Sequence, residues 1–165
     1  MKKMILALVL IGGVIMSTFA KPEHSEILAV SLIVKYEGFR SYTYTCPGGV
    51  KTIGYGFTDK SLVDKRTITK EEANKVLMEK IHSDLLYVRS KLSGLSAYQE
   101  AACISWIYNL GRGNFINSTF YKKLKAKDFA SAKIECNKWV YSKGKKLNGL
   151  VKRRAAEATW ITKLA

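Results

Sequence analysis

Residues 37–57 read EGFRSYTYTCPGGVKTIGYGF, and this stretch decides the fold class of the chain. Tyrosines and β-branched residues stand on both sides of Pro47-Gly48-Gly49, in Tyr42–Thr45 and again in Val50–Phe57. Residues of these types favour strands, and a Pro-Gly-Gly sequence favours the turn between two strands. The stretch therefore predicts a small antiparallel sheet.

Helical patterns lie on both sides of this predicted sheet. Apolar residues recur on one helical face over Glu26–Tyr36, and Thr69-x-x-Glu72 forms a capping box ahead of a long helix predicted over Lys70–Lys91. Later helices are predicted from Ser96 to Leu110, after caps at Asn117 or Ser118 and at Asp128, and from Gly149 to about Thr162. We therefore expect an α+β fold, with a small N-terminal antiparallel sheet lobe and a larger helical C-terminal lobe joined by the long helix.

The charge of the chain is strongly positive. It carries 28 Lys and Arg against 13 Asp and Glu, a formal net charge of +15, and the basic residues are spread from Lys35 to Lys163. A balance of this kind favours a polyanionic partner, which can be nucleic acid, an anionic membrane surface or an anionic cell-wall polymer. Because the charges are not gathered in one tail, we expect a cationic surface rather than a nucleic-acid-binding arm.

The N-terminus has the pattern of an export segment. Lys2 and Lys3 precede an uncharged run, Met4–Ala20, whose length lies between that of a signal-peptide core and that of a short membrane-spanning helix. We predict that residues 1–20 are a signal peptide or signal anchor and that residues 21–165 form one folded domain. The alternative is a buried N-terminal helix, which an unbroken apolar run behind positive charge does not favour.

Export would place three cysteines, Cys46, Cys103 and Cys136, where disulfides can persist. Because their number is odd, at least one thiol stays unbridged, changes partner or pairs between chains. We expect either a Cys103–Cys136 bond or two buried thiols at these positions, with Cys46 available for chemistry. An inactive precursor could instead pair Cys46 with one of the other two.

Glu37 is the candidate acid of the predicted helix–sheet junction. It follows an apolar helix and stands between Tyr36 and Phe39, where partial desolvation would favour the protonated carboxyl group. Glycoside hydrolysis needs such an acid, together with a second group that activates water or attacks the sugar. A lone glutamate at a helix end is weak evidence, so the surrounding residues decide its interpretation.

Those surroundings resemble the phage-type (T4-like) lysozyme family. The family pattern is a Glu, eight residues, usually an Asp, five residues and a Thr, which here becomes Glu37, Cys46 and Thr52. Further matches follow in order across Ile27–Trp160: Glu37-Gly38-x-Arg40, Tyr42, Thr52-x-Gly54-Tyr55-Gly56, Trp106-Ile107-Tyr108-Asn109-Leu110-Gly111, Asn114-Phe115-x-Asn117-Ser118, Trp139 and Gly149-Leu150-Val151-x-Arg153-Arg154. Each match is short, but their order and spacing are specific.

The resemblance implies a lysozyme-like fold and an endolysin that cleaves the β-1,4 bond between N-acetylmuramic acid and N-acetylglucosamine, without metal or cofactor. It makes Glu37 the proton donor and puts Cys46 in the place of the second catalytic carboxylate. It also implies that Thr52 positions the water or the sugar, and that Tyr108 and Ser118 contact substrate.

Two departures from the family pattern stand out. Cys46 replaces an aspartate, and a thiol can serve as base or nucleophile once nearby cations lower its pKa from a reference value of about 8.5. Cysteine occurs at this place in some exported phage lysozymes, so we interpret it as an active variant. Phe57 stands where a histidine is common, which we expect to alter packing or a salt link.

The expected partner is peptidoglycan in the periplasm, reached by a monomer that the inner membrane holds through residues 4–20 before release. Nucleic acid is not expected as a partner. The sequence leaves open whether the reaction inverts or retains configuration. Two rival functions remain: a lytic transglycosylase that acts on the same bond with Glu37 alone, and a non-catalytic basic protein that binds membrane or nucleic acid.

Overall fold

The structure is a computed structural model that describes residues 21–46 and 49–164. The predicted export segment, residues 1–20, and Pro47-Gly48 of the predicted turn lie outside the described residues. In the part of the chain that is described, no helix is long and apolar enough to cross a membrane.

The predicted sheet is present, but its second strand is shorter than expected. Strand β1, Arg40–Thr45, pairs antiparallel with strand β2, Lys51–Gly54, and Tyr44 lies opposite Thr52. The prediction of a strand through Phe57 is wrong, because the chain reverses after Gly54. The backbones of Ile53 and Phe57 exchange hydrogen bonds of 2.9 and 2.8 Å across this reversal.

Three helices precede or follow the sheet along the chain: α1 at His24–Glu37, α2 at Lys60–Val63 and α3 at Lys70–Lys91. Helix α1 begins two residues before the predicted start, because Glu23 and Glu26 form a reciprocal cap there. Helix α3 has the predicted bounds and the predicted capping box at Thr69 and Glu72. Helix α2 is a single turn that the hydrophobic pattern did not indicate.

The remaining helices form the larger lobe: α4 at Ala97–Leu110, α5 at Arg112–Asn117, α6 at Thr119–Lys125, α7 at Phe129–Asn137 and α8 at Asn148–Ile161. The caps at Ser96, Ser118 and Asp128 are confirmed by hydrogen bonds from their side chains to the first turns. Between α7 and α8, strands β3, Tyr141–Ser142, and β4, Lys145–Lys146, form an exposed hairpin.

Helix α4 is the centre of the helical lobe. Its residues from Gln99 to Ile107 are buried, and it packs against α1, α3, α5 and α8. The ring of Trp106 on α4 contacts those of Phe115, Phe120 and Trp139, with ring centroids 4.9–5.7 Å apart. The small sheet, the long helix α3 and this helical lobe confirm the predicted α+β class.

Candidate active site

Glu37 is the last residue of α1, and its carboxyl group lies between α8 and the chain reversal after β2. The side chain is 21% exposed, and its Oε1 accepts a hydrogen bond from Arg153 Nη1 at 2.5 Å. Its Oε2 faces Gly56, where a Cβ atom would stand only 2.9 Å from that oxygen. A side chain at position 56 would therefore displace the carboxyl group of Glu37.

The two glycines of the reversal are required by their backbone conformation and by their neighbours. Gly54 has φ +65° and Gly56 has φ +85°, values that side chains rarely tolerate. A Cβ atom on Gly54 would stand 2.6 Å from the Phe57 ring. Phe57 itself is buried, and the Lys80 ammonium, which pairs with Asp59 at 2.9 Å, lies 5.9 Å from the centre of its ring.

Cys46 and Thr52 meet at one backbone carbonyl. The Val50 oxygen accepts the Cys46 backbone N–H at 2.9 Å and the Thr52 hydroxyl at 3.1 Å. Thr52 is buried, while Cys46, directly after β1, is half-buried. Glu37 precedes β1 and Cys46 follows it, so the strand separates the two along the chain, and Thr52 lies on the neighbouring strand.

Tyr108 joins helix α4 to the chain reversal beside Glu37. Its hydroxyl donates a hydrogen bond of 2.6 Å to the carbonyl of Tyr55. Burial raises the pKa of Tyr108 far above its usual range, and the charge of Glu37 raises it further. The phenol is therefore neutral at physiological pH, and it lies in the same region as the candidate acid.

A cavity of about 340 Å³ opens next to Tyr108 between the sheet side and the helical lobe. Its lining includes Gly56, Asp84 and Arg112. Arg112 Nε donates to Asp84 Oδ1 at 2.8 Å, while burial raises the pKa of the Asp84 carboxyl and the pairing with Arg112 opposes that rise. The cavity walls thus carry paired charges together with the neutral phenol.

The hydroxyl group of Ser118 makes hydrogen bonds to the protein backbone. The side chain is buried, accepts the Tyr121 backbone N–H at 2.9 Å and donates to the Phe115 carbonyl at 2.7 Å. These bonds begin helix α6. Contact between Ser118 and substrate stays a prediction.

A charged cluster that the sequence did not predict lies beside Glu37. Arg153, which holds Glu37, is 3% exposed and lies beside the fully buried Glu157 on α8. The spacing of Arg153 and Glu157 permits a helical ion pair, but such pairs are normally on the surface. The family resemblance does include Arg153 and Arg154, but neither arginine could be assigned a role from the sequence.

The cysteines of the helical lobe take the second of the two predicted forms. Cys103 and Cys136 are both buried thiols, and burial raises the pKa of each well above its usual range. Neither thiol is therefore ionised at neutral pH. The predicted precursor, in which Cys46 is bridged to one of them, stays a prediction.

Comparison with known proteins gives consistent matches. The sequence model of the phage lysozyme family matches residues 34–157. An endolysin of Acyrthosiphon pisum secondary endosymbiont phage 1 is 37% identical over 139 residues, which cover 81% of this chain and 94% of that protein. A SAR-endolysin of Bacteriophage PS119 is 33% identical over 126 residues, which cover 73% of each chain.

Solved structures match over a similar range. The muramidase domain of SpmX from Asticaccaulis excentricus has a TM-score of 0.73 and 26% identity, covering 82% of this chain and 95% of that domain. An endolysin from Escherichia coli O157:H7 phage FAHEc1 has a TM-score of 0.71 and 27% identity, covering 82% and 90%. These matches confirm the lysozyme-like form of the predicted fold.

Proposed function

We infer that this chain, which belongs to the phage lysozyme family, is a lysozyme that hydrolyses peptidoglycan. More specifically, we assign it the β-1,4 bond between N-acetylmuramic acid and N-acetylglucosamine. The observation that carries the assignment is the carboxyl group of Glu37, which is partly exposed at the junction of the sheet and the helical lobe. A glycosidase needs a carboxylic acid in such a place to protonate the leaving oxygen.

Arg153 supports the acid after the proton has left. When Glu37 protonates the glycosidic oxygen, it becomes a carboxylate, and the guanidinium 2.5 Å from Oε1 is placed to stabilise that charge. The other oxygen, Oε2, faces Gly56 and is not bonded by Arg153. We propose that Oε2 carries the proton that is transferred to the substrate.

We assign the second half of the reaction to Cys46 and Thr52. The Thr52 hydroxyl uses its hydrogen on the Val50 carbonyl, so its oxygen lone pairs remain able to accept a hydrogen from water. Cys46 is tied by its backbone to the same carbonyl. The thiolate would act as base on that water in an inverting reaction or attack the sugar directly in a retaining one. In both cases we expect Tyr108 to contact the glycan where α4 borders the cavity.

The test is a turbidity assay on purified cell walls that compares the parent, Glu37→Gln and the matched surface variant Glu71→Gln. We expect Glu37→Gln to remain folded by circular dichroism and to lose 10²–10⁴-fold in rate, because proton donation is typically worth that much. Glu71→Gln should clear walls at the parental rate. A folded Glu37→Gln protein with parental activity would refute the assignment.

Analysis of the released fragments separates the hydrolase from its nearest rival. A hydrolase leaves a reducing N-acetylmuramic acid at the new end, whereas a lytic transglycosylase leaves a 1,6-anhydro ring. We expect the reducing end. A basic protein without catalytic activity would release no fragments.

We further propose that residues 1–20 carry the protein across the inner membrane and hold it there until release. Support comes from the uncharged run Met4–Ala20 behind two lysines, and from relatives that are named SAR-endolysins. Peptidoglycan lies on the far side of that membrane, so a cell-wall hydrolase requires export.

A further inference from the structure

A cluster of buried charges stands behind Glu37, on the side away from solvent. Arg153 donates from all three of its guanidinium nitrogens: from Nη1 to Glu37 at 2.5 Å, from Nε to Glu157 at 3.1 Å and from Nη2 to the Ser105 carbonyl at 3.0 Å. Glu157 Oε1 also accepts the Ser105 hydroxyl at 2.6 Å and Arg154 Nη2 at 3.2 Å. Glu157 and Arg154 are fully buried, so water does not screen their charges.

We propose that Glu157 is a positioning residue for catalysis, whose buried negative charge offsets one of the two arginines behind Glu37 and thereby lets Glu37 hold the proton it must donate. The inference rests on the proposed function, in which Glu37 is the acid. It adds a residue on α8 that does not touch substrate, placed 120 positions after Glu37 in the chain.

Counting the charges shows why Glu157 is needed. Two arginines face two carboxyl groups, so the cluster is neutral when Glu37 and Glu157 are both ionised. When Glu37 takes up a proton, the cluster becomes singly positive. If Glu157 were uncharged, the same protonation would leave two positive charges together in a buried site, which is far less favourable.

Other groups around the cluster do not replace Glu157. Cys103 on α4 and Cys136 on α7 lie close enough to Glu157 for its charge to act on their thiols. Burial raises the pKa of both thiols and keeps them neutral. Tyr108, which faces Glu37 from α4, is also neutral. Burial raises the pKa of Glu157 as well, and the adjacent arginines oppose that rise by favouring its ionised form.

A second cluster, in which a buried glutamate also accepts hydrogen bonds from a serine and an arginine, provides a control. Glu100 on α4 accepts the Ser25 hydroxyl at 2.5 Å and Arg89 Nε at 2.8 Å, and it is nearly as buried as Glu157. Arg89 also donates a hydrogen bond to Glu23, whereas Arg153 donates one to Glu37. Loss of charge at Glu100 should therefore affect stability without affecting the candidate acid.

The experiment measures kcat and KM for wall fragments from pH 4 to 9 with the full chain, the Glu157→Gln variant and the Glu100→Gln control, normalised to folded protein. In the pH profile of kcat, we expect the decrease on the alkaline side to occur about one pH unit lower for Glu157→Gln than for the parent. One buried charge nearby changes a pKa by about that much. The kcat of Glu157→Gln should be about tenfold lower above neutrality, with unchanged KM, and should return toward the parental value in acid. Glu100→Gln should keep the parental pH profile.

Arg154→Gln gives a test with the opposite sign, which also serves if Glu157→Gln does not fold. Because this variant removes a positive charge from the cluster, the alkaline decrease of its kcat should occur at a higher pH than in the parent. The inference would be overturned if both variants kept the parental pH profile of kcat, or if their loss of rate were equal at every pH. Activity retained by Glu37→Gln would instead overturn the proposed function, so the two failures are distinguishable.

Discussion

At the scale of single residues, Cys46 is the side chain to which the second half of the proposed reaction is assigned. Its backbone N–H and the Thr52 hydroxyl share the Val50 carbonyl, and these contacts do not use its sulfur. The thiols of Cys103 and Cys136 are buried, whereas Cys46 is half-buried. Chemical modification should therefore distinguish Cys46 from the other two.

We expect Cys46→Ser to lose most of the lytic activity, because a hydroxyl is far less acidic than a thiol and ionises too little to act as base or nucleophile. Cys46→Asp should keep activity and become insensitive to thiol-alkylating reagents, which should inactivate the parent. Wall lysis before and after alkylation, with peptide mapping of the modified site, measures both effects. Full activity in Cys46→Ser would mean that Glu37 works with Thr52 and water alone.

At the scale of elements, helix α3 is held by the reciprocal cap at its start. Thr69 Oγ1 accepts the Glu72 backbone N–H at 3.1 Å, and the Glu72 carboxylate accepts the Thr69 backbone N–H at 2.9 Å. This hydrogen bond from Thr69 keeps the pKa of Glu72 below its ordinary value. The stabilisation from Glu72 is therefore present above its unfolded-state pKa and is lost as the pH falls through the lower folded-state pKa.

Thr69→Ala should lower the free energy of unfolding by about 1 kcal/mol, the usual cost of losing an N-terminal cap. Glu72→Ala should also destabilise at pH 7, but its difference from the parent should shrink below about pH 4.5, where the parental carboxylate begins to be protonated. Urea denaturation at pH 7 and pH 3.5 measures both, with Glu71→Ala as the neighbour that makes no cap. An undiminished Glu72→Ala effect at pH 3.5 would contradict the electrostatic explanation.

At the scale of the whole molecule, the sequence joins a cationic domain to an uncharged N-terminal run. The net charge is +15, and Met4–Ala20 contains no charged residue. Positive charge attracts the domain to anionic surfaces over distances that salt shortens to about 8–10 Å. An uncharged run of this length can enter a bilayer, although Gly12 and Gly13 weaken it as a permanent anchor.

Fractionation of producing cells should find the full-length chain in the membrane before lysis and soluble protein afterwards. Leu8→Arg, which puts a charge in the apolar run at a cost of several kcal/mol on common insertion scales, should leave the protein in the cytoplasm and abolish lysis from within. The purified variant should still clear cell walls. If only promptly cleaved soluble protein were found at all times, transient anchoring would be excluded.

Much of the fold followed from local sequence because its causes are local. The cap at Thr69 begins α3 and the one at Ser96 begins α4, each through a hydrogen bond that spans three residues, while Gly111 ends α4. The strands β1 and β2 follow from β-branched and aromatic residues on both sides of a turn. Helix α2 was missed because it is a single turn with too few residues to show a period.

Tertiary structure alone decided how Glu37 is held. Its partner Arg153 lies 116 positions away, and the two meet because α1 and α8 both pack on α4 and contact each other. The burial of Glu157 was equally invisible in the sequence, since a glutamate four positions after an arginine is the ordinary pattern of a solvated helix face. Local hydrogen bonds and propensities determined the elements, whereas the electrostatic environment of the candidate acid depends on charges that long-range packing brings together and shields from water.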